Sequence, residues 1–322
     1  MSFESIKQLL AVDMSAVDGV IRTRLHSEVA LVNQVGEYIV NSGGKRLRPA
    51  LVVLSANAFG YTGKYHHDLA AVVEFIHTAT LLHDDVVDES ELRRGRATAS
   101  ALFGNAASVL VGDFLYSRAF QMMVEVGNMR VMQTLADATN TIAEGEVLQL
   151  LNCHDANVED ANYLHVIHCK TAKLFEAAMR LGAILSGAGE SEELAAANYG
   201  IHLGTAFQLV DDVLDYSGDE QDTGKHLGDD LAEGKPTLPL IYAMQHGSTE
   251  QAAIVREAIE QGDINRFADV LNVIKQTGTL EYTRQQAQLE SKAACDALSA
   301  LSDSIYKNSL LQLADFASSR QF

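Results

Sequence analysis

Residues 69–82 read LAAVVEFIHTATLL and lead straight into the carboxylates of HDDVVD at residues 83–88. The first stretch is apolar nearly all round, which is typical of a helix buried at the centre of a fold. The same arrangement occurs again further along, where residues 201–210 read IHLGTAFQLV and residues 211–215 read DDVLD. We therefore expect two buried helices that each end in a cluster of aspartates.

The composition favours an all-α fold. Only 3 prolines occur in 322 residues, well below the roughly 5% of average proteins, and the chain is rich in good helix formers such as Ala, Leu, Glu and Gln. No Pro- or Ser-rich linker and no internal repeat divides the chain, so we expect a single domain over residues 1–322. Helices are predicted at residues 3–12, 16–41, 49–58, 65–90, 106–125, 129–151, 160–187, 191–216, 237–245, 249–261, 263–275, 279–300 and 303–319.

The charge excludes one large class of function. With 24 Lys and Arg against 43 Asp and Glu, the formal net charge is −19, so a nucleic-acid groove is not expected. The 3 cysteines form no Cys-x-x-Cys pair and indicate a reducing compartment. The amino-terminal segment lacks the features of a secretion signal, and no run of about 18 apolar residues predicts a membrane span. A cytoplasmic location is therefore expected.

The aspartate clusters indicate a metal site. In a helix, residues four apart share a face, so Asp84 projects beside Asp88, and Asp211 beside Asp215. Carboxylates near a helix C-terminus are disfavoured by the helix dipole unless a cation lies beside them. Mg²⁺ takes oxygen ligands, usually carboxylates together with substrate phosphate oxygens. Two such clusters therefore predict Mg²⁺ and a phosphorylated substrate, whereas a single one would more simply be a solvated acidic turn.

Several of the few basic residues occur where a phosphorylated substrate would need them. Lys45, Arg46 and Arg48 precede Pro49, a residue that suits the first position of a helix, so cationic side chains and free helix amides would meet at one anion site. Further basic residues follow the two clusters at Arg93, Arg94, Lys225 and Lys235.

Together the motifs GGKRLRP, DDVVDESELRRG, FQLVDDVLD and GDDLAEGKPT resemble the trans-isoprenyl diphosphate synthases, over about residues 35–245. The resemblance implies the isoprenoid synthase fold, a large helical bundle around a deep central apolar cavity. It implies a prenyltransferase that extends an allylic diphosphate, such as farnesyl diphosphate, with isopentenyl diphosphate. The stretches EFIHTATLLHDDVVDES and GNAASVLVGDFLYSRAFQMM are most similar to bacterial members that make the octaprenyl chain of ubiquinone.

The resemblance also implies roles for individual residues. Mg²⁺, as a cluster of three ions, would be bound by Asp84, Asp88, Asp211 and Asp215, with Asp85 and Asp212 as orienting groups. The allylic diphosphate would be held by Lys170, Lys225, Lys235 and Arg93, and isopentenyl diphosphate by Lys45, Arg48, His77 and Arg94. Thr171 and Gln208 would point oxygens at developing positive charge. Without the resemblance, Gln208 could merely bond a neighbour on its helix, and His77 could be an ordinary core histidine.

The family resemblance places the growing product in the cavity below the aspartates. Ala79 and Thr80 lie about one turn before Asp84 and are small, so the channel is expected to stay open there. An extended octaprenyl chain is about 30 Å long, the length of a 20-residue helix. Candidates for the floor of such a cavity are Phe120, Met123, Met132 and Leu135, although ordinary core packing is an equal interpretation for each.

Members of the family are usually homodimers, and the helix at 106–125 could supply the interface. Membrane contact would be at most transient, for product release.

Two other functions use similar motifs. A class I terpene cyclase also has Asp-Asp-x-x-Asp, but it has a different second metal motif and needs no second diphosphate site. A non-catalytic subunit of a heteromeric prenyl synthase usually lacks intact aspartate motifs, and both are intact here.

Two remaining clusters are expected to have no special role. His66 and His67 would be solvated at a turn. A zinc site is disfavoured by the irregular spacing of its candidate ligands, which are Cys153, His154, His165, His168 and Cys169.

Overall fold

The computed structural model describes residues 3–40, 42–93, 95–217 and 227–320, and nearly all of its regular structure is helical. The helices are α1 (Phe3–Leu9), α2 (Ala11–Leu25), α3 (Ala30–Val40), α4 (Leu47–Ala58), α5 (Tyr65–Val87), α6 (Ala99–Phe103), α7 (Asn105–Val126), α8 (Met129–Asn152), α9 (Asp160–Ile167), α10 (Lys173–Ser186), α11 (Glu190–Ser217), α12 (Asp229–Ala232), α13 (Leu238–His246), α14 (Thr249–Gln261), α15 (Phe267–Thr277), α16 (Thr279–Ala297) and α17 (Ile305–Ser319). A π-helical turn (His168–Ala172) joins α9 to α10, and a short 3-10 helix (Ile264–Arg266) precedes α15. The prediction of an all-α fold is confirmed.

The only strands in the described residues form a small hairpin of β1 (Leu92–Arg93) and β2 (Arg96–Ala97). They pair antiparallel, with Arg93 opposite Arg96. Gly95 occupies the turn with a φ of +70°, a conformation that glycine adopts without steric cost. This hairpin lies just after the first aspartate cluster and positions Arg93.

Contacts between backbone segments divide the chain into two compact units. The first unit comprises Met1–Thr139, Leu174–Gly200 and Ala297–Leu313. The second comprises Asn140–Lys173, Ile201–Asp296 and Ala314–Phe322. The first aspartate cluster belongs to the first unit and the second cluster to the second unit.

Helix α5 lies in the core of the first unit. It packs against α7, α4 and α2, and its side chains from Leu69 to Val73, together with Phe75, Ile76, Ala79 and Leu82, are completely buried. Burial on several sides explains why the sequence shows almost no polar face in this helix. The prediction of a central helix that ends at the first aspartates is confirmed.

The C-terminal half of α11 is the corresponding element of the second unit. Leu209, Val210 and Leu214 pack in one apolar cluster with side chains of α9, α13 and α16. A second cluster surrounds Tyr216 and includes residues of α13, α14 and α15. The last turn of α11 is therefore fixed by apolar packing immediately beside its aspartates.

Several predicted helices differ from the structure, and the one predicted over residues 3–12 is divided at Leu10, between α1 and α2. The helix predicted over residues 16–41 is broken between Leu25 and Ala30. There the Asn33 side chain accepts a hydrogen bond from the Ser27 amide at 2.9 Å and donates one to its carbonyl at 2.7 Å, and such local bonds compete with helical ones. The helix predicted over 160–187 is interrupted by the π-helical turn. In the described parts of the chain, no helix combines the length and the apolar character that a membrane span requires.

Candidate active site

The first aspartate cluster ends α5. Asp88 caps the helix, and its amide donates to the Asp84 carbonyl at 2.8 Å. This helical bond keeps the two residues on one face, where both side chains are half-buried. The donor set consists of carboxylate oxygens beside the negative end of a helix dipole, which suits a hard divalent cation. Asp84 and Asp88 therefore fit Mg²⁺ as its ligands.

Asp85 faces the interior instead. Its side chain is fully buried, and its Oδ1 accepts a hydrogen bond from Arg93 Nε at 2.7 Å. Its Oδ2 is buried without a hydrogen-bond partner. Burial raises the pKa of the Asp85 carboxyl, and the Arg93 guanidinium partly opposes that rise. The hairpin thus anchors a cation beside the first cluster, in a pocket that Gly43, Glu74 and Thr78 also line.

The basic motif at residues 45–48 surrounds the start of α4. The helix begins at Leu47, with Arg46 before it at a φ of +50°, so Pro49 is the third helical residue and not the first. Arg46 turns away to an ion pair with Glu74 at 2.6 Å. Arg48 lies 3.1 Å from His77 Nε2 and over the ring of Phe175, 4.5 Å from its centroid. The structure therefore brings together Arg48 and His77, two residues predicted to bind the same diphosphate.

The second aspartate cluster is held by polar contacts within the second unit. Asp212 is buried; it accepts hydrogen bonds from the Tyr163 hydroxyl and from Gln208 Nε2, the latter at 2.8 Å. Burial raises the pKa of the Asp212 carboxyl well above its ordinary value. The Thr171 hydroxyl in turn donates to Gln208 Oε1 at 3.0 Å. Gln208 thus bonds a neighbour on its own helix and also links the π-helical turn to the aspartates.

Asp211 and Asp215, which flank Asp212, are half-buried. Asp211 Oδ1 accepts a hydrogen bond from Arg320 Nη2 at 2.5 Å. Asp215 Oδ2 accepts one from the amide of Asp230 at 3.4 Å. The carboxylates of this cluster have the same oxygen chemistry as those of the first cluster, and they too fit Mg²⁺.

Two of the predicted lysines have carboxylate partners in this structure. Lys170, in the π-helical turn, pairs with Glu146 at 2.5 Å, and Lys235 pairs with Glu233. Lys45 is half-buried just before α4. Two predicted residues, Arg94 and Lys225, lie outside the described residues.

The residues proposed to control product length are mostly buried. Ala79, Met123 and Leu135 have no exposed surface, and Thr80 is half-buried. Phe120 instead has an exposed side chain, so its prediction as an interior floor residue is wrong for the single chain.

Sequence reasoning missed two side chains that hold the second cluster. Tyr163 lies in α9 with no motif around it, and Arg320 follows the last helix near the end of the chain. The Arg320 side chain is only 3% exposed; it also donates to the Phe207 carbonyl at 2.7 Å and lies over the Phe207 ring. A lone buried arginine beside an aspartate is visible only in three dimensions.

Comparison with known proteins identifies one family. The family model described as polyprenyl synthetase matches residues 29–276. The chain is 54% identical to the octaprenyl diphosphate synthase of Escherichia coli, over 99% of both chains. It is 45% identical to an all-trans-nonaprenyl-diphosphate synthase of Rhodobacter capsulatus, over 97% of this chain and 96% of the relative.

Solved structures agree. A polyprenyl synthase from Caulobacter crescentus, in complex with calcium and isoprenyl diphosphate, has a TM-score of 0.96 and 43% identity, over 100% of this chain and 98% of that chain. A decaprenyl diphosphate synthase from Rhodobacter capsulatus has a TM-score of 0.93 and 46% identity, over 99% of both chains. The expected isoprenoid synthase fold is confirmed.

We expect the Arg320→Met variant to lose about 1.5–3 kcal/mol of unfolding free energy in metal-free buffer, because it removes charged hydrogen bonds from a buried side chain. Urea denaturation measures the change. The matched control is Arg256→Met, whose guanidinium is exposed in an i,i+4 pair with Glu260 and contributes less than about 1 kcal/mol. Equal losses in the two variants would contradict a structural role for the Arg320 contacts.

Proposed function

Because the chain belongs to the polyprenyl synthetase family and is a trans-polyprenyl diphosphate synthase, we propose that it extends farnesyl diphosphate with isopentenyl diphosphate to all-trans octaprenyl diphosphate. The observation that carries this proposal is the end-to-end identity of 54% to an octaprenyl diphosphate synthase, together with two buried helices that each end in paired carboxylates. We propose further that the product supplies the side chain of ubiquinone. The proposed location is the cytoplasm, which fits three cysteines that form no disulfide.

The proposed metal is Mg²⁺, as three ions with substrate bound. Asp84, Asp88, Asp211 and Asp215 would supply its carboxylate ligands. Bound Mg²⁺ would supply positive charge that stabilises the departing diphosphate. Asp85 and Asp212, which the protein already hydrogen-bonds, would orient these ligands. Because relatives are matched from end to end, we propose that residues 1–322 act as one synthase domain.

The basic residues divide between two diphosphates in this proposal. Lys170, Lys225, Lys235 and Arg93 would bind the allylic diphosphate and stabilise its charge as the C–O bond breaks. Lys45, Arg48, Arg94 and His77 would hold isopentenyl diphosphate, whose double bond attacks the allylic cation. Lys170 and Lys235, which now pair with Glu146 and Glu233, would exchange those partners for a diphosphate. The contact between Arg48 and His77 supports their assignment to one substrate.

The remaining steps of the proposed reaction need polar oxygens near the cation and apolar walls around it, and they need no conventional general base from the protein. The Gln208 and Thr171 oxygens would stabilise developing positive charge near the allylic carbon. The proton lost after condensation would go to the released diphosphate, which is itself a base. Apolar walls below the aspartates would exclude the water that otherwise quenches the cation.

The purified chain with farnesyl diphosphate, isopentenyl diphosphate and Mg²⁺ should give a product of eight isoprene units, sized by chromatography after removal of the diphosphate.

Asp84→Ala and Asp211→Ala should each lower kcat by at least about 100-fold, the scale of one lost charge stabiliser. Asp137→Ala is the control, since Asp137 lies exposed on α8. Absence of any elongation by the unaltered chain would favour the cyclase or subunit function.

Ala79→Tyr should shorten the product to a much smaller prenyl chain, because a bulky ring one turn before Asp84 would close the channel. The measurement is the product distribution at saturating substrates. Ala79 is fully buried, so Ala79→Leu serves as a milder second variant and the melting temperature of both is recorded. Folded variants with an unchanged product length would show that Ala79 does not line the channel.

We propose that the protein forms a homodimer through α7. Leu110, Phe120 and Val124 lie along one face of this helix and are exposed in the single chain, Leu110 and Val124 by about two thirds. Such an apolar row on one helix is typical of an interface. The Val124→Glu variant should lower the mass in solution from that of a dimer to that of a monomer, whereas Leu289→Glu, at an exposed site on α16, should not. A monomeric unaltered chain at micromolar concentration would overturn the proposal.

A further inference from the structure

His66 and His67 open α5, at the opposite end of the helix from the aspartates, and both face Asp13 of α2. The Nε2 atom of His67 lies 2.9 Å from Asp13 Oδ1, and the Nε2 atom of His66 lies 3.7 Å from the same oxygen. One ligand atom from each of the three residues lies within 4.8 Å of the other two. In the parts of the chain that the structure describes, no other His, Cys, Asp and Glu side chains form such a group.

The cluster is not the solvated turn that the sequence predicts. The His66 side chain is only 8% exposed, and those of Asp13 and His67 are about one quarter exposed. The two imidazole rings lie 3.9 Å apart between centroids, and the ring of Tyr61 packs edge-on against His66 at 5.6 Å. Two imidazoles are thus held in fixed positions around a single carboxylate oxygen.

Protonation of the buried His66 ring is unfavourable in this arrangement. Burial lowers the pKa of His66, and the neighbouring His67 lowers it further, while Asp13 opposes the shift. A neutral imidazole has one unprotonated ring nitrogen, which can bind a metal without first losing a proton. One divalent cation would be attracted to the Asp13 carboxylate and would accept both nitrogens.

From this geometry, we propose that Asp13, His66 and His67 bind one divalent transition-metal ion, with Zn²⁺ as the expected ion and a water molecule as the fourth ligand. Zn–N and Zn–O bonds of about 2.0–2.1 Å place tetrahedral ligand atoms about 3.3 Å apart. The two distances here, 2.9 and 3.7 Å, lie on either side of that value, and metal binding would require the two rings, now 3.9 Å apart between centroids, to rotate away from each other. Two imidazoles with one carboxylate select Zn²⁺ over Mg²⁺, which prefers an all-oxygen set.

The site is separate in place and chemistry from the proposed Mg²⁺ ligands. A bound ion would link α2 to the first turn of α5, within the first unit of the structure. Because α5 runs as one helix from Tyr65 to Val87, the ion would stabilise the first turn of the helix that carries Asp84. Its effect is therefore expected on stability, at a distance from the substrate.

Isothermal titration of Zn²⁺ into the metal-free full chain, in buffer with excess Mg²⁺, tests the proposal. We expect one tight site per chain and a rise in melting temperature. His67→Gln and Asp13→Asn should each weaken Zn²⁺ binding by at least about tenfold and abolish the rise. His26→Gln is the matched control, because His26 lies exposed at the end of α2. X-ray absorption at the zinc edge should show two imidazole ligands, and one in the His67→Gln variant.

A double variant, Asp84→Asn with Asp88→Asn, distinguishes the two kinds of metal site. It should retain the Zn²⁺ affinity of the unaltered chain. The proposal is overturned if this variant loses Zn²⁺ while His67→Gln keeps it, since the ion would then occupy the aspartate cluster. It is also overturned if the unaltered chain binds no Zn²⁺ at concentrations up to about 100 μM. Melting curves of the metal-free variants show that each remains folded.

Discussion

Carboxylates at the C-terminal ends of buried helices are the constraint on which the rest of the structure depends. The helix dipole disfavours negative charge there, and burial disfavours it further. The protein compensates the buried member of each cluster with its own groups: Asp85 has the Arg93 cation, and Asp212 has the Tyr163 hydroxyl and the Gln208 amide. The flanking carboxylates keep partial access to solvent, where an added cation can reach them.

The two clusters reach this compensation by different routes. In the first cluster, a hairpin of two-residue strands positions the Arg93 guanidinium, whose positive charge balances the Asp85 carboxylate. In the second, neutral donors surround the buried Asp212, and the cation of Arg320 goes to Asp211 instead. Breaking a buried charged contact leaves the other partner desolvated and unpaired. The half-buried cations Arg93, Lys170 and Lys235 have carboxylate partners within the protein, which are Asp85, Glu146 and Glu233.

The sequence predicted what depends on long periodic segments and local spacing. Helices such as α5, α7 and α11 carry a strong apolar signal, and the i,i+4 relation of Asp84 and Asp88 follows from helical geometry alone. The break at residues 26–29 was missed because it rests on bonds between Ser27 and Asn33, and the hairpin because two-residue strands have no periodicity. Arg320 and the burial of His66 depend on partners far away in the chain, 109 residues from Asp211 in the case of Arg320, and no local pattern encodes them.

Relatives that are named for products of different length are similar to this chain in sequence. Identity to this chain falls only from 54% for an octaprenyl synthase to 45% and 46% for nonaprenyl and decaprenyl synthases. If eight units span about 30 Å, one unit adds about 4 Å, which is less than one helical turn of 5.4 Å. A single large-for-small exchange one turn further along a helix is therefore enough to change the product by about one unit. Ala79 lies on the same helix as Asp84, so in the proposed function a bulky side chain placed there would lie at a fixed distance from a diphosphate bound at Asp84. Met123 and Leu135 lie on other helices, and any effect they have depends on how those helices pack.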